Sequence, residues 1–186
     1  AFSVLLRSLG FRVFWHRAGV QPLGQEPRIN SFHLGLTVSL PNEEQQEQRY
    51  IVDVGLGDMP YDPIPLQIGT YEQGPLRYQV ESSGVVQGGW RLVHDPNASF
   101  VGVDFAPDDL EDLEEFKPKH EFYSTSPESP WYKLFLVRHR HATGSNELRG
   151  CIWNKRGIDG IEKIELRTKS QWLEVLADVF GERLVR

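Results

Sequence analysis

The sequence predicts an α+β protein in which an antiparallel β-barrel or sandwich is followed by a smaller sheet with one helix packed on it. Three observations predict this fold. Short segments of alternating apolar and polar residues, separated by turns rich in glycine and proline, fill residues 11–106. A strongly acidic stretch follows them. One amphipathic helix with clear start and stop signals lies near the C-terminus.

The chain opens with a helical pattern that lacks a beginning. Residues 2–9 carry apolar side chains at helical spacing, and Gly10 suits the position just after a helix. No N-cap residue precedes Phe2, and the first residue is Ala1 rather than methionine. We therefore expect residues 1–10 to be the end of a truncated helix, the earlier part being lost by truncation, cleavage or an incomplete gene model.

Alternating segments then predict a strand, a loop and a β-hairpin. Residues 11–16 alternate as a strand, whereas residues 19–31 are rich in Gly, Pro, Gln and Asn and predict a loop. Residues 32–40 place apolar side chains on one face, with His33 among small or polar residues on the other. The polar run 41–48 and the apolar run 50–56 complete the hairpin.

His33 and Asp53 are the candidate functional pair of this hairpin. Asp53 interrupts an apolar run, and a partly buried carboxylate needs hydrogen-bond donors or a charged partner. Donors from a neighbouring loop are the structural alternative to a contact with His33. A register that places His33 opposite Asp53 also pairs Gly35 with Ile51 and Thr37 with Arg49, whereas a slip of one residue separates the pair. If they meet, Asp53 orients the imidazole and stabilises its protonated form.

Further strands complete the first part of the fold. The pattern predicts them at residues 66–68, 77–81, 90–94 and 100–105. Residues 107–121 then form an acidic linker, whose carboxylates we interpret as a solvated face.

The C-terminal part predicts three strands and one helix. The strands are expected at residues 132–138, 147–153 and 161–167. Thr168 and Gln171 have the spacing of a capping box, an apolar stripe follows them, and Gly181 ends the helix.

Composition excludes several classes of function. The 186 residues carry a net charge of −6, which argues against binding to a nucleic-acid backbone. Neither a membrane span nor a signal peptide is evident, so we expect a soluble, cytoplasmic protein. The single cysteine, Cys151, excludes an intrachain disulfide and is expected to be a buried structural thiol. His139 and His141 lack a third ligand at a suitable spacing, so no metal site is predicted.

Five segments together resemble the arylamine N-acetyltransferases. They are residues 2–13 (FSVLLRSLGFRV), 32–38 (FHLGLTV), 50–57 (YIVDVGLG), 122–129 (FYSTSPES) and 173–184 (LEVLADVFGERL). The resemblance implies an N-terminal helical bundle, which is absent here, a central antiparallel β-barrel and a small α/β lid. With it we divide the chain into the helix end 1–10, a barrel domain 11–106, the linker 107–121 and a lid domain 122–186.

The resemblance also implies a chemistry. A cysteine upstream of Ala1, in an Arg-Gly-Gly-x-Cys type of motif, would complete a triad with His33 and Asp53. The cysteine takes an acetyl group from acetyl-CoA and passes it to an aromatic amine, hydrazine or hydroxylamine in a ping-pong reaction. Because this chain lacks that cysteine, we expect it to be inactive alone. A non-catalytic module of the same fold is the main alternative, and a hydrolytic or transglutaminase-like enzyme is a third.

Further site residues are implied by position. Phe32, Phe122 and Ser129 would line the acetyl-CoA cleft. Leu56 stands in the substrate pocket where an aromatic residue is common in the family, which alters the aryl groups that fit. Glu128 is a second departure, since its charge does not favour phosphates. No metal is implied.

Overall fold

The computed structural model describes residues 1–30, 32–41 and 44–184, and it begins with a helix, α1, at Phe2–Ser8. Ala1 offers no side-chain cap, and Gly10 adopts a positive φ of 91° where the helix ends. Phe2 and Leu6 pack against the sheet cluster that contains Val13. The predicted first helix is confirmed.

Eight antiparallel strands form one nearly closed, barrel-like sheet in the order β4-β3-β2-β1-β8-β7-β6-β5. The strands are β1 Arg12–Gln21, β2 His33–Pro41, β3 Glu47–Val52, β4 Ile64–Pro65, β5 Gly69–Gln73, β6 Leu76–Ser82, β7 Trp90–Val93 and β8 Gly102–Phe105. The core inside this sheet includes the fully buried Tyr78, Phe105 and Ile51. The predicted central antiparallel barrel is thus present.

The structure corrects two boundaries of this sheet. Strand β1 runs on to Gln21, so residues 19–21 are not the predicted loop; they pair with β8, Val20 opposite Val103. A Cβ on Gly19 would lie 1.7 Å from the carbonyl oxygen of Arg28, so a glycine there reflects close packing rather than a turn. Residues 66–68 lie between β4 and β5, and the strand β5 was not predicted.

The carboxylates of the acidic segment are exposed, as predicted, and two of them also hold the segment against the barrel. Asp109 accepts two hydrogen bonds from Arg49, at 3.1 and 3.2 Å, and Asp108 pairs with Arg17 at 3.3 Å. The carbonyl oxygen of Asp108 also contacts the ring of the buried His16. A short 3-10 helix, Glu114–Phe116, follows and leads directly into helix α2, Lys117–Thr125.

A second, four-stranded antiparallel sheet, here called the lid sheet, follows a 3-10 turn at Pro130–Tyr132. Its strands are β9 Leu136–His141, β10 Gly144–Arg149, β11 Ile152–Gly157 and β12 Gly160–Glu165. Three strands were predicted. The prediction of a single strand at residues 147–153 is wrong, because this segment spans the end of β10, a turn and the start of β11. Gly150, with φ of 57°, turns the chain between β10 and β11.

Helix α3, Lys169–Phe180, packs on the lid sheet as predicted. The Thr168 hydroxyl accepts from the Gln171 N–H, and the Gln171 side chain accepts from the Thr168 N–H, which is the predicted capping box. Gly181, with φ of 73°, ends the helix. Leu176 packs with Leu148 in the core between helix and sheet. Within the described residues no helix is long and apolar enough to cross a membrane.

Candidate active site

His33 and Asp53 meet at one end of two neighbouring strands. His33 is the first residue of β2, and Asp53 directly follows the last residue of β3. The Nε2 atom of His33 lies 2.5 Å from Oδ2 of Asp53. The hydrogen bond expected from the sequence is therefore present.

The register of this hairpin differs from the predicted one by two residues. Thr37 pairs with Ile51 and Ser39 with Arg49, whereas we expected Thr37 opposite Arg49. Because side chains alternate faces with a period of two, a shift by two keeps His33 and Asp53 on the same face. The contact is diagonal across the strand ends rather than directly cross-strand.

Both carboxylate oxygens of Asp53 are occupied. The N–H of Gly55 donates to Oδ1 at 2.7 Å, while His33 takes Oδ2. The side chains of His33 and Asp53 are only 11% and 4% exposed, so these bonds replace the lost hydration. The other ring nitrogen of His33, Nδ1, has no hydrogen-bond partner in the part of the chain that the structure describes.

The His33 ring forms part of the wall of an open cleft of about 500 Å³. Val54, Leu56 and the neighbouring glycines line one side of it. The lining also includes Phe32, Tyr123, Trp131, Leu136 and Arg138. Residues from the barrel, from α2 and from the lid sheet thus converge on His33.

Two of the predicted binding residues lie in this wall. Phe32 lines the cleft and meets the Tyr123 ring edge to face, with centroids 5.6 Å apart, and Leu56 lines it from the loop after Asp53. Phe122 packs on Tyr123 outside the lining, with 42% of its surface exposed. Their roles in binding stay predictions.

Ser129 lies beneath the wall rather than in it. It is 1% exposed, its hydroxyl donates to the carbonyl oxygen of Tyr123 at 2.9 Å, and it accepts from the N–H of Trp131 at 3.3 Å. Ser129 therefore fixes the two aromatic residues that line the cleft. Sequence reasoning singled out neither Tyr123, which lies within the family-like segment 122–129, nor Trp131, which lies two residues beyond it.

The expectation that Cys151 is a buried structural thiol is wrong. Cys151 is exposed in the turn between β10 and β11, because the strand predicted to bury it is broken at Gly150. It lines a small separate hollow next to Trp172 and has no part in the lining of the His33 cleft.

His139 and His141 are the two possible metal ligands that the sequence brings together. The rings of His139 and His141 lie with centroids 5.7 Å apart on β9. Within residues 1–30, 32–41 and 44–184 no set of three or more His, Cys, Asp or Glu side chains is placed to hold a metal ion.

The fold is similar to that of solved arylamine N-acetyltransferases. The enzyme from Mycobacterium abscessus matches with a TM-score of 0.79 and 22% identity, over 99% of this chain and 65% of that one. The Mycobacterium marinum enzyme, solved in complex with CoA, matches with a TM-score of 0.77 and 24% identity, over 97% of this chain and 66% of that one. A Bacillus cereus enzyme described as having a unique Cys-His-Glu catalytic triad matches with a TM-score of 0.75 and 19% identity, over 98% of this chain and 70% of that one.

A family model described as N-acetyltransferase matches the chain over residues 1–186. No curated protein matches it significantly. The chain belongs to this N-acetyltransferase family, and the resemblance to arylamine N-acetyltransferases predicted from the sequence is confirmed. The chain spans 65% of the length of the M. abscessus enzyme.

Proposed function

We propose that this chain carries the histidine and the carboxylate of a Cys-His-Asp site that moves an acetyl group from acetyl-CoA to an aromatic amine or hydrazine. The observation that carries the proposal is the hydrogen bond between His33 and Asp53 at the wall of an open cleft. A carboxylate that binds one ring nitrogen fixes the tautomer and the orientation of the imidazole, and it leaves the other nitrogen as a base.

The roles of the two residues follow from this geometry. With the Nε2 proton held by Asp53, Nδ1 of His33 accepts the proton of a thiol and leaves a thiolate beside an imidazolium. The thiolate attacks the acetyl carbonyl carbon, and CoA departs as a thiol with the proton from His33. An amine then attacks the thioester; His33 takes a proton from the amine and returns it to the departing thiolate.

The thiol of this reaction is proposed to come from outside the 186 residues. The single cysteine of the chain is exposed in a lid-sheet turn and lines a different hollow from His33. The chain alone is therefore proposed to be inactive in acetyl transfer. A non-catalytic binding module remains the alternative that the experiment below separates.

The cleft walls suit both substrates. The rings of Phe32, Tyr123 and Trp131 offer apolar faces on which an aryl group can stack. Lys119 lies over the Phe32 ring, 5.5 Å from its centroid, and brings a positive charge to this side for the phosphates of acetyl-CoA. The M. marinum enzyme of similar fold was solved with CoA bound. A cytoplasmic location is part of this proposal, because acetyl-CoA is available there.

The test supplies the missing thiol. The chain is incubated with acetyl-CoA and an aryl hydrazine, with and without a small aromatic thiol, and the acetylated product is measured by chromatography. We expect no product above background without the thiol, and a rate with it that His33→Gln and Asp53→Asn abolish. Equal rates in the chain and in His33→Gln contradict the catalytic proposal and favour a binding module. Turnover without added thiol contradicts the proposal that the reactive thiol comes from outside the 186 residues.

A further inference from the structure

The loop that follows Asp53 is held by a side chain of the lid sheet. The guanidinium of Arg138, on β9, donates through Nη1 to the carbonyl oxygen of Leu56 at 3.2 Å. The same carbonyl oxygen accepts the N–H of Asp58 at 2.7 Å. Asp58 is in turn fixed to the barrel, where its carboxylate accepts both the N–H and the hydroxyl of Ser99. Residues 53–58 are thus fixed from two sides.

Gly57 brings the loop into direct contact with the stem of Arg138. Gly57 has a positive φ of 69°, and a Cβ built on it would lie 2.3 Å from Cβ of Arg138. The backbone of the loop therefore packs on the aliphatic part of this arginine without space for a side chain between them. A displacement of Arg138 removes both its packing against Gly57 and its hydrogen bond to the Leu56 carbonyl oxygen.

A row of side chains across the lid sheet fixes Arg138 itself. Arg138 lies directly opposite Glu147 on β10, and Glu147 lies opposite Asn154 on β11. Nε of Arg138 donates to Oε2 of Glu147 at 2.6 Å, and the Asn154 amide donates to Oε1 at 3.1 Å. The Glu147 side chain is 8% exposed, so the pair is shielded from water. Such a charge-assisted bond gives the guanidinium one defined position.

Arg138 also stands between two cavities. It belongs to the wall of the His33 cleft and to the wall of a second cavity of about 340 Å³, which Asp53 also lines. Val54 and Gly57 are the other residues that line both. The three shared residues place the two cavities side by side, with Arg138 between them near Asp53.

We propose that Arg138, held by Glu147, is a positioning residue for the His33–Asp53 pair: it fixes the loop 53–57 from the lid sheet and shields Asp53 from water. The lid is then a structural part of the acid–base machinery and not only a cover for substrates. The inference rests on the proposed function of His33 and Asp53. Arg138 acts through the loop and needs no contact with a reacting atom.

The experiment observes the His33–Asp53 hydrogen bond directly, without turnover. In the 186-residue chain labelled with ¹⁵N, the Nε2–H proton of His33 is assigned by its loss in His33→Gln. Its rate of exchange with water is then measured by nuclear magnetic resonance in Arg138→Met and Glu147→Gln. The matched control is Lys155→Met, which removes a cross-strand ion pair of the same sheet, Lys155 with Glu162, that has no contact with the loop.

We expect Arg138→Met to accelerate the exchange by about tenfold or more, because a hydrogen bond from a charged donor is lost from the loop. Glu147→Gln should act in the same direction by a smaller factor, and Arg138→Lys should restore part of the protection. Lys155→Met should leave the rate unchanged. Circular dichroism checks that each variant is folded, and Glu147→Gln decides the question if Arg138→Met does not fold.

Two results overturn the inference. Exchange at the same rate in folded Arg138→Met, or in Glu147→Gln if Arg138→Met does not fold, contradicts the positioning role and leaves the proposed function intact. A chain in which His33 shows no protected Nε2–H proton contradicts both, since the pair itself is then absent in solution.

Discussion

The backbone N–H of Gly55 donates to Oδ1 of Asp53, the carboxylate oxygen that His33 does not use. This two-residue turn, of a kind that aspartate often makes with its own backbone, ends strand β3. It also holds the carboxylate toward the neighbouring strand that carries His33. The same hydrogen bond therefore lies at the end of the strand and positions the carboxylate of the candidate pair.

Gly55→Ala is predicted to disturb this arrangement. A Cβ at residue 55 would lie 3.1 Å from Oδ1 of Asp53 and 3.1 Å from Cε1 of His33, closer than ordinary van der Waals contact. We expect Asp53 and His33 to shift by a few tenths of an ångström and the free energy of unfolding to fall by about 1 kcal/mol, the lower end for an added methyl group because Gly55 is exposed. Urea denaturation measures the loss. Gly84→Ala is the control, since no atom lies within 4 Å of its added Cβ; a loss as large there contradicts the explanation.

The barrel contains a buried ion pair whose disruption should be costly. Asp104 on β8 is 0% exposed, and its carboxylate accepts hydrogen bonds from Arg91 and from the Ser83 hydroxyl. We expect Asp104→Ala to lower the free energy of unfolding by about 3 kcal/mol, because the guanidinium of Arg91 loses its buried carboxylate and keeps only Gln21 and the more distant, exposed Glu81. The exposed pair Lys117–Glu114 is the comparison, and Lys117→Ala should change stability by about 0.5 kcal/mol or less.

Local sequence patterns predicted His33 and Asp53. They did not predict the strand register or the other residues of the cleft, which depend on tertiary structure. A period of two placed His33 on the polar face of its strand, and an isolated carboxylate in an apolar run singled out Asp53. The register was two residues off because it depends on pairing across the whole hairpin, which local patterns do not determine. An error of two residues leaves both side chains on the same face of the sheet, so the predicted contact still forms.

The cleft residues that sequence reasoning did not single out lie far from His33 and Asp53 in the sequence. Tyr123 lies on α2, Trp131 in a 3-10 turn and Arg138 on the lid sheet, and each reaches the cleft only through tertiary packing. The extra lid strand was missed because the apolar pattern runs through the turn at Gly150. Tertiary pairing likewise overrode the loop-like composition of residues 19–21.

Two buried histidines of the barrel predict that the protein loses stability in mild acid. Burial lowers the pKa of His16 and the pKa of His94 below the ordinary value of 6.5. His94 donates from Nε2 to the Asp58 carbonyl oxygen and accepts the Asp95 N–H at Nδ1, so the neutral ring is the form that the fold requires. Protonation of His94 breaks the second of these bonds.

The sign of this effect is fixed by proton linkage. A histidine with a lowered pKa in the folded state binds fewer protons there than in the unfolded state. Its contribution to stability is complete above about pH 6.5 and is lost as the pH falls below that value. Urea denaturation at several pH values measures the slope. His94→Gln should flatten it between about pH 7.5 and 5.5, and an unchanged slope contradicts the assignment.

Tyr78 predicts the opposite dependence at alkaline pH. Burial raises the pKa of Tyr78 to about 12 from 10.0, and its hydroxyl donates to the Asp58 carbonyl oxygen at 2.8 Å. Above pH 10 the unfolded chain loses this proton before the folded one, so stability should fall by about 2–3 kcal/mol as the pH rises toward 12. Tyr78→Phe removes the titrating group. The variant should be less stable near neutral pH, but its free energy of unfolding should fall less than that of the unchanged chain between pH 10 and 12. An equal fall in the two proteins shows that groups other than Tyr78 cause it.

Ser129→Ala distinguishes a direct role of this residue in binding from a supporting one. The hydroxyl is buried and joins Tyr123 to Trp131, so its removal should cost about 1 kcal/mol of stability and loosen both aromatic walls of the cleft. In protein labelled with 5-fluorotryptophan, the ¹⁹F line of Trp131, assigned by its loss in Trp131→Phe, should narrow even without ligand, because the backbone N–H of Trp131 loses its acceptor. The affinity for acetyl-CoA, measured by calorimetry, should weaken only because the walls formed by Tyr123 and Trp131 are looser. If affinity falls while the Trp131 line of the free protein is unchanged, Ser129 contacts the ligand itself, as the family resemblance implies.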